Sequence, residues 1–338
     1  MSLEERIELL AQLGVYLSSD DEHLHAVMHR TAYNNQWLTI ENSKKVAKAI
    51  ASAYLTKAHL LDWIAKFDYK DQDEPKKVGV VPAGNIPLIG LLDIVSTFLV
   101  GHTALIKPTS AEEYLLPHLI KKMIAWEPKA AAYFQLNNFL KGFDAIITRT
   151  NGSKNHYFAT YFSKFPHIIR EERHSIAILN GTETEAELLA LGNDVFANFG
   201  LGNENISKLY VPEGYNFDQL LTIFHEYRQI VLTSKYKNNF DYNYSLFLLN
   251  NVSFLANGCI ILKEDPALTS RIACLHYEYY TDISTLTKSL KALQKEIRYI
   301  VSKHPIAGLQ TLLQGNTQTP SLQEDPDRVE TMQFLINL

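Results

Sequence analysis

From Val78 onward the chain alternates between short apolar runs of strand length and longer stretches with helical spacing, and this alternation narrows the fold more than any other feature. Strands are expected at Val78–Val81, Ala104–Lys107, Tyr133–Leu136, Asp144–Thr148, His167–Ile169 and Ser175–Leu179. Further strands are expected at Lys208–Val211, Cys259–Leu262, Ile272–His276 and 297–301. Between them lie helix-like runs: one to Val100, one opened by a Ser110-x-x-Glu113 capping box, and one from about Lys154 to Lys164. Three more cover 184–197, 216–228 and a stretch from about Ser284. Strands and helices alternating at this spacing predict parallel sheets with crossover helices, an α/β fold.

The first 67 residues read differently, as helices; in the third, apolar residues recur at Val46, Ile50, Ala53, Tyr54, Leu60, Leu61 and Ile64, one face of a single helix. At 338 residues the chain exceeds one ordinary core, so two α/β units are expected, with a boundary near 165–185. The turn-rich stretch Gln314–Ser321 predicts a loop before a short terminal strand, Met332–Ile336, whose apolar edge suits pairing in a homo-oligomer.

Charge and composition remove several function classes. A net charge of −5 argues against a general nucleic-acid binder, which wants a basic face. No apolar run of about 18 residues occurs, so no membrane span is expected. The acidic amphipathic start, MSLEERIELLAQLG, lacks a signal-peptide layout. The two cysteines, Cys259 and Cys274, lie in apolar surroundings, which predicts a reducing, cytoplasmic setting without disulfides. His23, His25 and His29 share one helix but bring no carboxylate with them, so they read as surface histidines and no metal is expected.

Ligands of α/β folds sit where strand ends meet helix starts. The first such place is Pro82-Ala-Gly-Asn-Ile-Pro87, where Gly84 admits close backbone approach, Pro87 suits a first helical turn and the Asn85 amide can face a developing oxyanion. Taken alone, the hexapeptide is equally a plain turn. Lys107 follows a strand and suits a ribose hydroxyl or a phosphate, or is a solvated lysine. Thr148–Ser153 precedes a helix and offers free N–H groups to a phosphate. The usual nucleotide fingerprints GxGxxG and GxxxxGK[ST] are absent. His276–Tyr280 follows a strand and reads either as a pocket lining or as ordinary packing. The small-residue loop Gly200-Leu-Gly202 stands apart because it runs from a helix into a strand, and the residue it presents is Asn203.

In order along the chain, PAGNIPL, an Ile-Lys-Pro about 20 residues later, a helix-opening Thr-Asn-Gly-Ser, PHIIREERHSIAIL, the Gly-x-Gly loop with NISKLYVPEGYNF, and LHYEYY resemble the LuxC-type acyl-CoA reductases, a short branch of the aldehyde dehydrogenase superfamily. The resemblance runs from about residue 75 to the end. It implies an aldehyde dehydrogenase-like α/β fold with two Rossmann-like parallel-sheet domains and an N-terminal helical segment. The implied divisions are 1–175 for the helices and cofactor domain, 176–315 for a catalytic-type domain, and 316–338 for a terminal loop and strand packing on the cofactor domain or a partner subunit. It implies NADP or NAD as cofactor and an acyl-CoA or acyl-carrier-protein thioester as ligand.

By the same resemblance Asn85 matches the oxyanion-hole asparagine and Lys107 the lysine on the adenosine ribose. Thr150 and Asn151 match the helix start against the diphosphate, with Arg149 where a glycine is usual. The family nucleophile is a cysteine, whose thiolate forms an acyl-enzyme. This chain departs from the family there: Asn203 occupies the cysteine's position. Cys259 and Cys274 read as small buried hydrophobes with raised pKa. Ser207 has no histidine base beside it, and Glu171 and Glu172 are displaced from the superfamily's deacylating glutamate. The expectations are therefore an acyl-thioester reductase working without a covalent bond, a degenerate member acting as a binding or partner subunit, or another non-covalent step on an acyl or aldehyde ligand.

Overall fold

The computed structural model describes residues 1–71, 74–149, 160–318 and 326–338. The chain forms two compact units, Met1–Glu172 with Thr319–Leu338, and Arg173–Gln318.

The first unit opens with helices α1 (Leu3–Ser18), α2 (Glu22–Asn34), α3 (Ile40–Tyr54) and α4 (Lys57–Ile64). Their starts are written in the sequence: Ser2, Asp21, Thr39 and Thr56 each accept a backbone N–H of the first turn, and Ser2 forms a full capping box with Glu5. The single helix expected through Val46–Ile64 is broken at Leu55, because the Thr56 hydroxyl caps a new helix at the His59 N–H. Gly14 of α1 receives that corner: a Cβ there would lie 2.4 Å from the Leu55 carbonyl oxygen.

Five strands follow: β1 (Lys77–Val81), β2 (Thr103–Ile106), β3 (Phe134–Leu136), β4 (Ala145–Arg149) and β5 (His167–Arg170). They form one parallel sheet in the order β3-β2-β1-β4-β5. The strand centres are buried and nearly all apolar, as expected of a sheet covered on both faces. Helix α5 (Leu91–Leu99) links β1 to β2, and α6 (Leu115–Trp126) leads from β2 toward β3. The expected Ser110–Glu113 capping box does not form; Ser110–Glu112 is a 3-10 turn without a side-chain cap. The helix expected from about Lys154 to Lys164 lies largely outside the described residues.

The C-terminus is not the expected strand. Residues Pro326–Ile336 form helix α11, which packs on α5. Buried Asp327, Arg328, Thr331, Met332 and Leu335 recur at helical spacing, so polar and apolar residues together make its inner face. The polar part is an ion-pair network. Arg170 of β5 meets both oxygens of Asp93 at 3.2 and 3.3 Å, and Arg328 meets the same carboxylate at 2.9 Å. Arg170 also donates to the Asp327 carbonyl and to Thr331. Burial pushes the Asp93 carboxyl up, but Arg170, Arg328 and Arg149 outweigh it and hold it below the usual range. At the far end of α11 the Leu335 carbonyl meets His102 Nε2 at 2.8 Å. The terminal residues thus pack inward and present no strand edge.

The second unit contains β6 (His174–Ile178), α7 (Glu185–Phe196), β7 (Ile206–Pro212), α8 (Asp218–Phe224), α9 (Ser234–Leu249), β8 (Leu255–Ala256), β9 (Ile261–Glu264), β10 (Cys274–Tyr280), α10 (Ile283–Ala292) and β11 (Ile297–Ser302). Its sheet order is β11-β6-β7-β10-β9-β8, parallel except for the β8–β9 edge pair. Helix α9 was hidden in the sequence by its Asn, Lys and Tyr content; its buried face is Tyr236, Phe240, Asn243 and Phe247. The expected strand Ile272–His276 begins later, after Ala273 at φ 63, and runs to Tyr280. His276–Tyr280 therefore continues a strand instead of following one. His276 Nδ1 meets the Ala267 carbonyl at 3.0 Å, so this histidine is packing. Each unit has its own buried apolar core, and both have the expected Rossmann-like parallel-sheet character.

Candidate functional site

In the first sheet the strand order reverses between β1 and β4, so the carboxyl ends of these strands flank a switch point. The segment 82–90 leaves β1 at this point, and Lys107, exposed, leaves β2 on the same edge. Segment 82–90 does not enter its helix at Pro87 as expected. Leu88 turns into the left-handed region at φ 56, and α5 begins only after Gly90. Asn85 is half-buried, with Oδ1 at the buried end of its amide.

The turn 109–112 packs directly on this loop. A Cβ at Gly84 would lie 2.5 Å from Thr109 Oγ1 and 2.7 Å from Ala111 Cβ, so only glycine allows the approach. Glu112 Oε1 accepts the Leu88 N–H at 2.6 Å. The Thr109 hydroxyl is buried without a hydrogen-bond partner among the described residues. Gly84 and the buried Thr109 hydroxyl thus serve the packing of this loop on its neighbouring turn, and exposed Lys107 is the group left at the switch-point edge where α/β folds bind their ligands. Thr150 and Asn151, expected at the cofactor diphosphate, lie outside the described residues; Arg149 closes β4 and pairs with Asp327 at 3.5 Å.

Asn203 belongs to the second unit. Its loop runs from α7 into the amino end of β7, the opposite strand polarity from segment 82–90. Asn198, Phe199 and Gly200 take φ of 48, 63 and 74 in succession. Two of these are not glycine, so the turn costs conformational energy that its surroundings must supply. Asn205 supplies much of it. Its Oδ1 accepts the Gly202 N–H at 2.8 Å, and its Nδ2 donates to the Asp194 and Ala197 carbonyls at 3.0 and 2.9 Å. Those carbonyls are the orphans that end α7, so one amide both caps the helix and fixes the loop. The space beside Gly202 is tight, since a Cβ would lie 3.0 Å from Asn205 Oδ1.

Ser175 ties the same loop, its Oγ donating to the Asn203 carbonyl at 2.8 Å; at the end of α7, buried Asp194 accepts from the Gly315 N–H and from the Thr317 N–H and hydroxyl. Burial raises the Asp194 pKa, with the Thr317 bond opposing it. The residue thus held out, Asn203, is half-buried with its main chain fixed.

Neither cysteine is an activated nucleophile. Burial pushes Cys259 up to about 11, and its Sγ is bonded to Asn257 Oδ1 and the Phe224 carbonyl. Burial pushes Cys274 up to about 12. At neutral pH both are thiols, not thiolates. Ser207 donates to the Leu268 carbonyl at 2.7 Å, with no histidine partner for its hydroxyl among the described residues. Glu112 and Asn205 went unnoticed in the sequence.

Among the described residues no cluster of three or more His, Cys, Asp or Glu side chains is arranged to hold a metal, and no helix is long and apolar enough to cross a membrane. His23 instead stacks on His118, with ring centroids 4.9 Å apart.

No family model matches the chain, and no curated protein sequence is similar to it. Solved structures are similar. The Pseudomonas syringae indole-3-acetaldehyde dehydrogenase AldA, a cysteine-to-alanine variant in complex with NAD+ and IAA, aligns over 91% of this chain and 73% of its own, with TM-score 0.65 and 12% identity. Aldehyde dehydrogenase C from the same species, also a cysteine-to-alanine variant, with NAD+ and octanal, aligns over 90% and 78%, with TM-score 0.64 and 10% identity. Aldehyde dehydrogenase 21 from Physcomitrella patens, with the reaction product succinate, aligns over 90% and 74%, with TM-score 0.65 and 12% identity. The fold is therefore that of the aldehyde dehydrogenases.

Proposed function

We propose that this chain is a reductase-like protein of the LuxC type that binds NADPH or NADH and an acyl thioester of coenzyme A or acyl-carrier protein, and that its ligand chemistry proceeds without a covalent acyl-enzyme. The observation that carries the reading is the Asn198–Gly200 turn. Three successive left-handed residues lead to residue 203, with Asn205 and Ser175 bonding the loop around them, and such strain concentrates at functional sites.

The cofactor fits the carboxyl edge of the first sheet. Lys107 would hold the adenosine ribose, and Thr150 and Asn151 the diphosphate. Bound NAD(P)H supplies a hydride donor. The Asn85 amide donates to the acyl oxygen as negative charge develops on it; one such donor is worth about 10²–10³ in rate. Asn203 offers an amide where the family has its thiol, and an amide is not acylated as a thiolate is. A reducing, cytoplasmic setting goes with this reading, since both cysteines are thiols.

A second reading, a binding or partner subunit without turnover, is favoured by the two inert cysteines. Titration with NADPH and NADH, followed by protein fluorescence, and incubation with acyl-CoA while trapping aldehyde, test both. Cofactor binding with aldehyde release supports the reductase, and cofactor binding without aldehyde supports the subunit. Binding of neither nucleotide overturns the cofactor assignment. Covalent label from radioactive acyl-CoA on Cys259 or Cys274 overturns the non-covalent one.

A further inference from the structure

Glu112 is a buried acid with no part in the chemistry above. It is 1% exposed, its Oε1 takes one N–H, and its Oε2 has no hydrogen-bond partner among the described residues. A half-satisfied buried carboxyl costs free energy, so packing alone does not account for it. Its single bond goes to the N–H of Leu88, the one non-glycine residue of the loop in the left-handed region.

Asn85 lies between two anchor points on one turn. On one side Gly84 abuts Thr109 and Ala111; on the other Leu88 is bonded to Glu112. The turn itself is fixed from α2, where Asn34 and Asn35 donate to the Ser110 and Ala111 carbonyls at 3.2 and 3.3 Å. We propose that Glu112 is a positioning residue: through the Leu88 N–H it fixes the left-handed turn that aims Asn85, while touching no ligand itself. The inference rests on the reading of Asn85 as the acyl-oxygen donor.

The acid is also a titrating latch. Burial pushes its carboxyl up to about 8, opposed by the Leu88 bond. Charged neighbours do not compensate: Lys107 and Glu113 are exposed, Arg30 of α2 stacks on the Tyr114 ring at 4.1 Å, and α2 faces the turn with the neutral amides of Asn34 and Asn35. Above about pH 8 the latch therefore carries a buried charge with one donor, and the turn relaxes toward water.

The test follows the Leu88 backbone and Asn85 side-chain amide signals by NMR in the deuterated full-length protein, across pH 6 to 9. A non-reducible thioether analogue of acyl-CoA reports affinity. In the natural chain both signals should move with one midpoint near 8. Glu112→Gln should abolish that midpoint while keeping the low-pH positions and the affinity. Glu112→Ala should displace the Asn85 signals and weaken analogue binding about tenfold, the loss of roughly one hydrogen bond. Asn85 signals in Glu112→Ala that match the natural chain, or a midpoint near 8 that persists in Glu112→Gln, overturn the proposal, and the persisting midpoint alone decides it where the Ala chain does not fold. Natural affinity in Asn85→Ala overturns the ligand reading of Asn85, while displaced Asn85 signals in Glu112→Ala still support the latch.

Discussion

The segment 82–90 and the loop 198–205 both force non-glycine residues into the left-handed region, Leu88 in one, Asn198 and Phe199 in the other, and both present an asparagine. They are pinned by different means. Asn205 uses its whole amide, accepting once and donating to the carbonyls that end α7, and it cannot titrate. Glu112 uses one oxygen of two and can titrate. Strain can therefore be held either by a saturated neutral group, insensitive to pH, or by a half-satisfied acid that titrates. The glycines differ in the same spirit: Gly200 is required by its φ, Gly84 by the space it leaves.

Substitutions should separate these cases. The largest effect is expected for Asn205→Ala, which strands the Gly202 N–H and the α7 carbonyls, at about 3 kcal/mol. A urea or thermal melt indistinguishable from the natural chain would break the comparison. Gly84→Ala comes next, about 1–3 kcal/mol, because its Cβ must displace Thr109 and Ala111. Gly200→Ala meets nothing closer than the Val195 carbonyl at 3.5 Å, so its cost, about 1 kcal/mol, is conformational, and Gly200→Asn should recover part of it. Equal rescue of Gly84 by asparagine would remove the distinction.

The smallest effect at low pH, and the most telling in its sign, belongs to Glu112→Gln. The Glu112 pKa is raised from 4.5 to about 8 by burial, so between those values the folded chain keeps a proton that the unfolded chain has released. Stability contributed by the neutral acid is complete below about 4.5, declines as pH rises toward 8, and stays low above it. Melting curves across this window should show that decline in the natural chain and a flatter profile in Glu112→Gln. Parallel profiles would place the acid's titration elsewhere.

Much of the architecture was legible from periodicity, because parallel strands buried on both faces leave short continuous apolar runs. The caps Ser2, Asp21, Thr39 and Thr56 are local events open to reading, yet the one cap read from the sequence, at Ser110, does not form. What escaped reading depends on distant partners. The end Met332–Ile336 reads as a strand until Arg170 and Asp93, far along the chain, are seen to bond the polar residues of its helical face. Where the Ser110–Glu113 box was expected, the chain makes a 3-10 turn whose carbonyls are bonded from Asn34 and Asn35, distant in sequence. Asn85, Lys107 and Asn203 were singled out by sequence resemblance and local motif. Asn205 was not, since nothing in its neighbours announces that one side chain will serve four backbone groups.

The central claim is that the loop 198–205 is the mount of a nucleophile whose thiol has been replaced by Asn203. Intact-protein mass after incubation of Asn203→Cys with acyl-CoA, beside the natural chain, tests it most directly. The account predicts a gain of one acyl group on the variant, at residue 203, and none on the natural chain. A folded variant whose new thiol alkylates freely yet gains no acyl group, or a natural chain that gains one, would contradict it.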